Sequence, residues 1–293
     1  MAKHAFITAH KTVYSIRSMC RVLGVSPSWF HASQKREEVR QAKEERNLNL
    51  VAEIRRVIKE NKSCYGPLRV FHKLVQEGIE CTAYMVRKLM NLHDIRQPKR
   101  KNWVPTTTDS NHNHRIAPNL LDRQFEVFEP NKVWLADITY INTDEGWLYL
   151  AAVKDMATRE IVGWSMDEHL KSTLCENALN MAIQNRKPPK GLIHHSDRGV
   201  QYACKDYRKT LKRHRINVSM SRKGNCWDNA PMESFFNSLK TECVHRNHFK
   251  TRKQAKAALF EYIEIFYNRQ RLHSAIGYKT PLQACLEMTM KTA

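Results

Sequence analysis

The sequence predicts an α/β protein, a mixed sheet flanked by helices and preceded by a small all-α region. Three observations carry that expectation. The 293 residues suffice for one sizeable core with smaller helical modules before it. Apolar residues recur every three or four positions before residue 95, then in short strand-like runs after residue 132. Between the two lies a basic and polar stretch with the composition of a linker.

Taken in order, SIRSMCRVLGVSPSWFHASQ over residues 15–34 reads as a helix, a turn at Gly24 and a second helix with Ser26 as cap and Pro27 in its first turn. The alternating charges of residues 35–46 run into Leu50, Ile54, Val57 and Ile58, a spacing that makes an amphipathic connector helix. In YGPLRVFHKLVQEG, Leu68, Phe71, Leu74 and Val75 form an apolar stripe and Gly78 ends the helix. A further helix starts at Thr82, with Val86, Leu89 and Met90 inward and Arg87 and Lys88 outward. Helix, short turn and helix with a basic outer face is the helix-turn-helix plan, in which the second helix enters the major groove. Arg87 and Lys88 are therefore candidate DNA contacts, and Lys99, Arg100 and Lys101 in the basic run RQPKRKNW are candidate phosphate contacts.

From Lys132 the segments KVWLADITYI, GWLYLAAVKD and EIVGWSMDEH read as three strands of an antiparallel meander, joined by turns at 142–146 and 156–159. A helix is expected over 172–186, a buried strand at GLIHHSD, a helix over 201–213, a last strand at NVSMS and a helix carrying Glu233. The order β-β-β-α-β-α-β-α matches the ribonuclease-H-like layout. The expected organisation is an N-terminal helical segment over 1–46, a helix-turn-helix-like DNA-binding domain over 47–105, a linker over 106–125 and a catalytic core with a C-terminal helical extension over 126–290.

Composition narrows the partners. The formal net charge of +20 and the pI near 9.7 point to a polyanion, because Lys and Arg displace counterions from phosphates. The longest apolar run is far too short to cross a bilayer, and the N-terminus lacks the pattern of a secretory signal, so a cytoplasmic, nucleoid-associated protein is expected. Eight scattered cysteines without a C-x-x-C pair argue against a zinc ribbon or a disulfide framework.

The chemistry lies in three acids. Fifty-nine residues separate Asp137 from Asp197, thirty-five separate Asp197 from Glu233, and Lys240 follows Glu233 by two helical turns. On a helix Lys240 falls about 20° from Glu233, whereas Met232, Phe235, Phe236 and Leu239 lie on the other side. The apolar stripe that anchors the helix thus aims Glu233 and Lys240 at one cleft. Asp137 is expected at or near the end of its strand, and Asp197 directly after its own. Three carboxylates in one cleft repel one another unless hard cations neutralise them, which implies Mg²⁺ or Mn²⁺, with two ions suited to in-line displacement at phosphorus. Asp144, Asp155 and Asp228 compete as ligands. Asp228 is expected to cap the helix of Glu233, Asp155 to brace the turn near Arg159, and residues 219–230 to form a mobile loop over the site.

WLADITYI, HHSDRGVQY, SMSRKGNCWDNAPMESFFNSLKTE and YNRQRLHSAIGYKTPLQA resemble the integrase-type transposases encoded by the second reading frame of two-frame bacterial insertion sequences. The resemblance covers nearly the whole chain. It implies a retroviral-integrase catalytic core with Asp137, Asp197 and Glu233 as acidic triad and Lys240 near the element's end. It also implies 3′-end nicking by water and attack of the freed 3′-hydroxyl on a second phosphodiester. Double-stranded DNA at element ends and target is the implied partner, with homo-oligomerisation on DNA. No leucine-heptad segment precedes residue 15, so a first-frame protein, joined by frameshifting, is a further expected partner. Two other readings are a ribonuclease-H-type nuclease without joining activity and a catalytically inactive DNA-binding regulator.

Overall fold

The structure is a computed structural model that describes residues 2–97, 116–222 and 225–292. Lys99, Arg100 and Lys101 lie outside the described residues. The chain divides into two compact units, one of Met1–Glu60 and Gly66–Arg96, the other of Asn61–Tyr65 and Gln97–Ala293.

The first unit is all helical: α1 (Ala2–His10), α2 (Ile16–Leu23), α3 (Pro27–Glu60), α4 (Pro67–Gln76) and α5 (Ala83–Leu92). Ser15 caps α2 by accepting from the Ser18 amide, and Gly24 ends it in the left-handed region at φ 64°, a conformation that glycine adopts without steric cost. Ser26 then accepts from the Trp29 amide at 3.0 Å as α3 begins. Ile7, Met19, Cys20 and Phe30 close a small core among α1, α2 and the start of α3. The far end of α3 buries Leu50, Val51, Ile54 and Val57 and packs on α4 and α5. Because α3 is one unbroken helix of 34 residues, position 46 lies in its middle rather than at a break. The alternating charges of residues 35–46 are good helix formers and favour continuing the helix.

In α4 the buried residues are Val70 and Leu74, whereas Leu68 and Val75 are exposed, which corrects the expected stripe. Helical periodicity establishes that an apolar face exists; the packing partner selects which of two adjacent faces is covered. Gly78 does end the helix, with its own amide on the Val75 carbonyl and the Ile79 amide on the Leu74 carbonyl. Thr82 caps α5, whose Val86, Leu89 and Met90 are buried and whose Arg87 and Lys88 are exposed.

The second unit is a five-stranded mixed sheet. Its strands are β1 (Val133–Thr143), β2 (Gly146–Asp155), β3 (Ile161–Asp167), β4 (Ile193–Ser196) and β5 (Asn217–Met220), in the spatial order β3-β2-β1-β4-β5. The meander β1 to β3 is antiparallel, and β4 and β5 join parallel to β1. The helices are α6 (Ser172–Arg186), the short α7 (Val200–Ala203), α8 (Lys205–Arg213), α9 (Ala230–Glu242), α10 (Arg252–Phe260) and α11 (Pro281–Thr292). The helix expected over 201–213 is broken at Cys204, whose extended backbone separates α7 from α8. This is the ribonuclease-H-like order the sequence predicts.

Strand alternation sorts the two faces of the sheet. Trp134, Ala136, Ala151, Val153 and Val162 form a core with Leu174, Ala178 and Ala182 of α6 and with Tyr202, Tyr207 and Leu211. Leu135 and Lys154, paired across β1 and β2, face the side from which α9 approaches, since Lys154 Nζ donates to the Pro231 carbonyl at 3.0 Å. The far end of α9 is held by a buried ion pair in which Arg271 donates to both oxygens of Glu242, at 2.6 and 2.8 Å. Tyr262, in the π-helical stretch Glu261–Tyr267 that follows α10, donates to the same carboxylate at 2.8 Å. Among the described residues no helix is long and apolar enough to cross a membrane.

Candidate active site

The parallel register between β1 and β4 ends at the pair Ala136 and Ser196. One position further stand Asp137 and Asp197, so the backbone pairing that ends just before them brings two carboxylates onto adjoining chain segments. Asp137 does not close its strand as expected. β1 continues to Thr143 along β2, and Asp137 marks the point at which β4 leaves the sheet. Asp197 does follow its strand directly, and its Oδ1 accepts from the Gly199 amide at 2.9 Å, which fixes the turn into α7.

Glu233 lies in the first turn of α9, exposed, while Met232, Phe235, Phe236 and Leu239 are buried as expected. Lys240 lies two turns on, with its ammonium 4.9 Å from the centre of the Tyr140 ring. Electrostatics join the four residues. Burial pushes the Asp137 carboxyl well above its ordinary range, and the charges of Asp197 and Glu233 push in the same direction. The Ile138 amide, 2.8 Å from Oδ1, and the Lys240 ammonium oppose them. Burial also raises Glu233 and lowers Lys240, and the charge of Asp137 works against the lowering of Lys240.

Oxygen donors that repel one another in a partly buried cleft suit a hard divalent cation, which supplies the missing positive charge. Among the described residues, however, no three His, Cys, Asp or Glu side chains are arranged to hold one ion together. Asp137 is the member that links the others, because it feels the charges of both Asp197 and Glu233.

The competing acids are committed elsewhere. Asp155 braces the β2–β3 turn by accepting from the Thr158 amide and hydroxyl, with its other oxygen on the Asn131 amide. Asp144 accepts from His248 at 3.1 Å. Asp228 does not cap α9; Asn229 occupies that position. The Asp228 carboxylate is fully buried and accepts from the Arg222 amide and guanidinium, from Arg123 Nε at 2.9 Å and from Asn119 at 3.2 Å. Those donors hold it far below the usual carboxylate range. The loop expected over 219–230 is shorter than that span, because Ser219 and Met220 belong to β5 and Cys226–Asn229 form a 3-10 turn.

Three groups that place the site carry little sequence signal. Asn229 Nδ2 donates to the Ala136 carbonyl at 3.3 Å, which ties the start of α9 to the residue before Asp137. Lys154 ties the next residues of α9 to β2, and burial holds its ammonium well below its ordinary range. A lone lysine inside the apolar run GWLYLAAVKD is the one sequence hint among them. The paired histidines are structural: His194 meets the Tyr207 hydroxyl at 2.9 Å, and His195 lies between the hydroxyls of Ser219 and Ser221. Burial pushes them down to about 3 and about 4 respectively, which keeps both neutral near pH 7.

Two family models described as integrase core domain match this unit, over residues 128–226 and 233–283. The fold and the matched segments thus define an integrase-core protein. The chain is 43% identical over 263 residues to the insertion element IS600 uncharacterized 31 kDa protein of Shigella sonnei, across 90% of this chain and 96% of that one. It is 39% identical over 282 residues to the transposase InsF for insertion sequence IS3A of Escherichia coli strain K12, across 96% of this chain and 97% of the relative. The chain belongs to the family of IS3-type insertion-sequence transposases. Among solved structures, the HTLV-2 integrase catalytic core domain in complex with magnesium is 18% identical over 54% of this chain and 97% of that chain, with a TM-score of 0.39. The catalytic core domain of BIV integrase is 16% identical over 55% and 98%, with a TM-score of 0.42.

Proposed function

We propose that this chain cuts one DNA strand at the ends of its insertion sequence and joins the freed 3′-hydroxyl to a target strand, with Asp137, Asp197 and Glu233 as the catalytic acids. The observation that carries the reading is the adjoining position of Asp137 and Asp197, electrostatically coupled to Glu233 and Lys240. Asp137, Asp197 and Glu233 would together hold Mg²⁺ or Mn²⁺. Such ions supply the Lewis acidity that activates an attacking oxygen and stabilises a leaving one.

The chain's own residues have separable tasks in this reading. The Asp137 and Asp197 carboxylates set the position of the scissile phosphodiester relative to the sheet. The hydrogen bonds of Asn229 and Lys154 hold the start of α9 against β1 and β2, and so fix where Glu233 stands relative to the sheet. Lys240 offers a cation to a DNA phosphate on the same face. Arg87 and Lys88, exposed on α5, contact DNA as part of a helix-turn-helix, with Lys99, Arg100 and Lys101 as further phosphate contacts. An insertion sequence has two ends, so the reading assembles more than one copy on DNA, with the first-frame product as a further partner.

The test uses labelled duplex carrying the element's own terminus, incubated with the full chain and Mg²⁺. Cleaved and joined products are expected from the wild type, lost on chelation and restored by Mg²⁺ or Mn²⁺. Asp197→Asn is expected to bind the duplex while producing neither. Equal strand transfer by wild type and Asp197→Asn would refute the assignment, and cleavage without joined products would favour a simple nuclease.

A further inference from the structure

Trp227 is 68% exposed, in the 3-10 turn that leads into α9 and six positions before Glu233. A large exposed aromatic adds nothing to the core, yet the residues around it are firmly fixed. Asp228, the next residue, is fully buried and receives hydrogen bonds from Arg222, Arg123 and Asn119. Arg123 also donates to Asn225 at 2.9 Å, on the other side of the tryptophan. Asn229 is bonded to the Ala136 carbonyl, beside Asp137. The indole is therefore displayed from a turn pinned on both sides, next to the acidic cleft.

The surroundings of Trp227 suit a polyanion with flat rings. The Arg222 and Arg123 side chains that clamp Asp228 are themselves 47% and 45% exposed, and the nitrogen of Arg222 not used on Asp228 lies 3.4 Å from the exposed Asp122 carboxylate, so both cations are within reach of solvent. Planar guanidinium groups of this kind pair with phosphate oxygens. An exposed tryptophan beside them offers a rigid aromatic face, on which any nucleobase stacks because every base has a π-face.

We propose that Trp227 is a stacking platform for an unpaired DNA base beside the scissile phosphodiester, held in place by the Asp228–Arg222–Arg123 clamp. The inference rests on the reading of DNA as substrate. A base drawn onto the indole leaves the duplex stack, and the strand beside it becomes free to enter the cleft between β1, β4 and α9. Apolar side chains that insert at base steps open DNA in the same physical way.

The test compares wild type, Trp227→Ala and Trp227→Phe in the full chain on two labelled duplexes with the element's terminus, one fully paired and one with the bases beside the cut left unpaired. Trp227→Ala is expected to cut the paired duplex about tenfold more slowly and to recover on the unpaired one, with Trp227→Phe near wild type. Equal rates for all three proteins, or the same loss on both duplexes, would overturn the proposal.

A second readout needs no catalysis. Oligodeoxythymidine added in Ca²⁺ is expected to quench tryptophan emission of Asp197→Asn protein, and a distinct part of that quench is expected to vanish when Trp227→Phe is added. An unchanged quench would overturn the proposal even if the acidic triad were correct. DNA cutting by Asp197→Asn itself would instead strike the triad and leave the stacking result standing.

Discussion

Asp228 illustrates how a single side chain can organise a loop. Its carboxylate has no exposed surface and joins the segment around Asn119 and Arg123 to the loop that carries Arg222 and Asn225. Charge-assisted bonds of this kind contribute about 1.5–3 kcal/mol each at best. Water screens both half-exposed guanidinium groups, so Asp228→Asn is expected to cost only about 1–2 kcal/mol in all. The sign with pH follows from the depressed folded value. The unfolded carboxyl titrates near about 3.9, so the contribution is fully present above that value and is lost as pH falls below it. The urea midpoints of wild type and Asp228→Asn should therefore be well separated at about pH 6 and draw closer as pH falls from about 4 toward about 2; a constant gap across that range would count against the assignment.

At the scale of elements, the position of Glu233 depends on how α9 is tied down. Asn229 and Lys154 hold its start, and Arg271 holds its end through Glu242. On the opposite face the sheet and α6 approach so closely that Gly163 of β3 has no room for a side chain. A Cβ built there would stand 2.3 Å from the Ala178 carbonyl oxygen and 2.6 Å from the Ala182 nitrogen. Those are backbone atoms that no rotamer change can move, so Gly163→Ala is expected to push α6 off the sheet and destabilise the fold by about 3 kcal/mol or more. A thermal midpoint within a degree or two of wild type would contradict that close approach. At the edge of the sheet, the Asn268 side-chain amide pairs with both the amide and the carbonyl of Ile161, which satisfies backbone groups that an unpaired edge strand would leave open.

At the scale of the whole molecule the net charge of +20 decides how it meets DNA. Phosphate contacts release counterions, so affinity for a non-specific duplex should fall steeply and log-linearly with salt. Arg87→Ala and Lys88→Ala are each expected to weaken binding of the full chain and to reduce that slope by about one. Fluorescence anisotropy over a salt series reads both quantities, and an unchanged slope would remove α5 from the DNA-binding surface.

Much of this architecture is legible in the residues themselves. Gly24, Ser26, Gly78 and Thr82 mark helix ends because capping and left-handed turns are local chemistry. The strands of the second unit, and the buried face of α9 opposite Glu233, follow from periodicity, which is also local. Where the sequence misleads, a distant partner makes the choice. Leu68 and Val75 are as apolar as Val70 and Leu74, yet α4 exposes the first two. Asp228 has the composition of a cap, but two arginines draw it into the protein.

Sequence by itself determined the class of fold, and it singled out three acids and a cation two turns beyond the last of them as the candidate site. It did so because residue type, periodicity and spacing record what each segment can do alone. Only the tertiary structure decided that Asp137 lies within its strand rather than at the end, and that Asp197 directly follows the last residue paired in parallel with β1. It likewise decided which side chains pin α9 and which display Trp227. Register and long-range hydrogen bonds arise between segments far apart in the chain, so no local pattern records them.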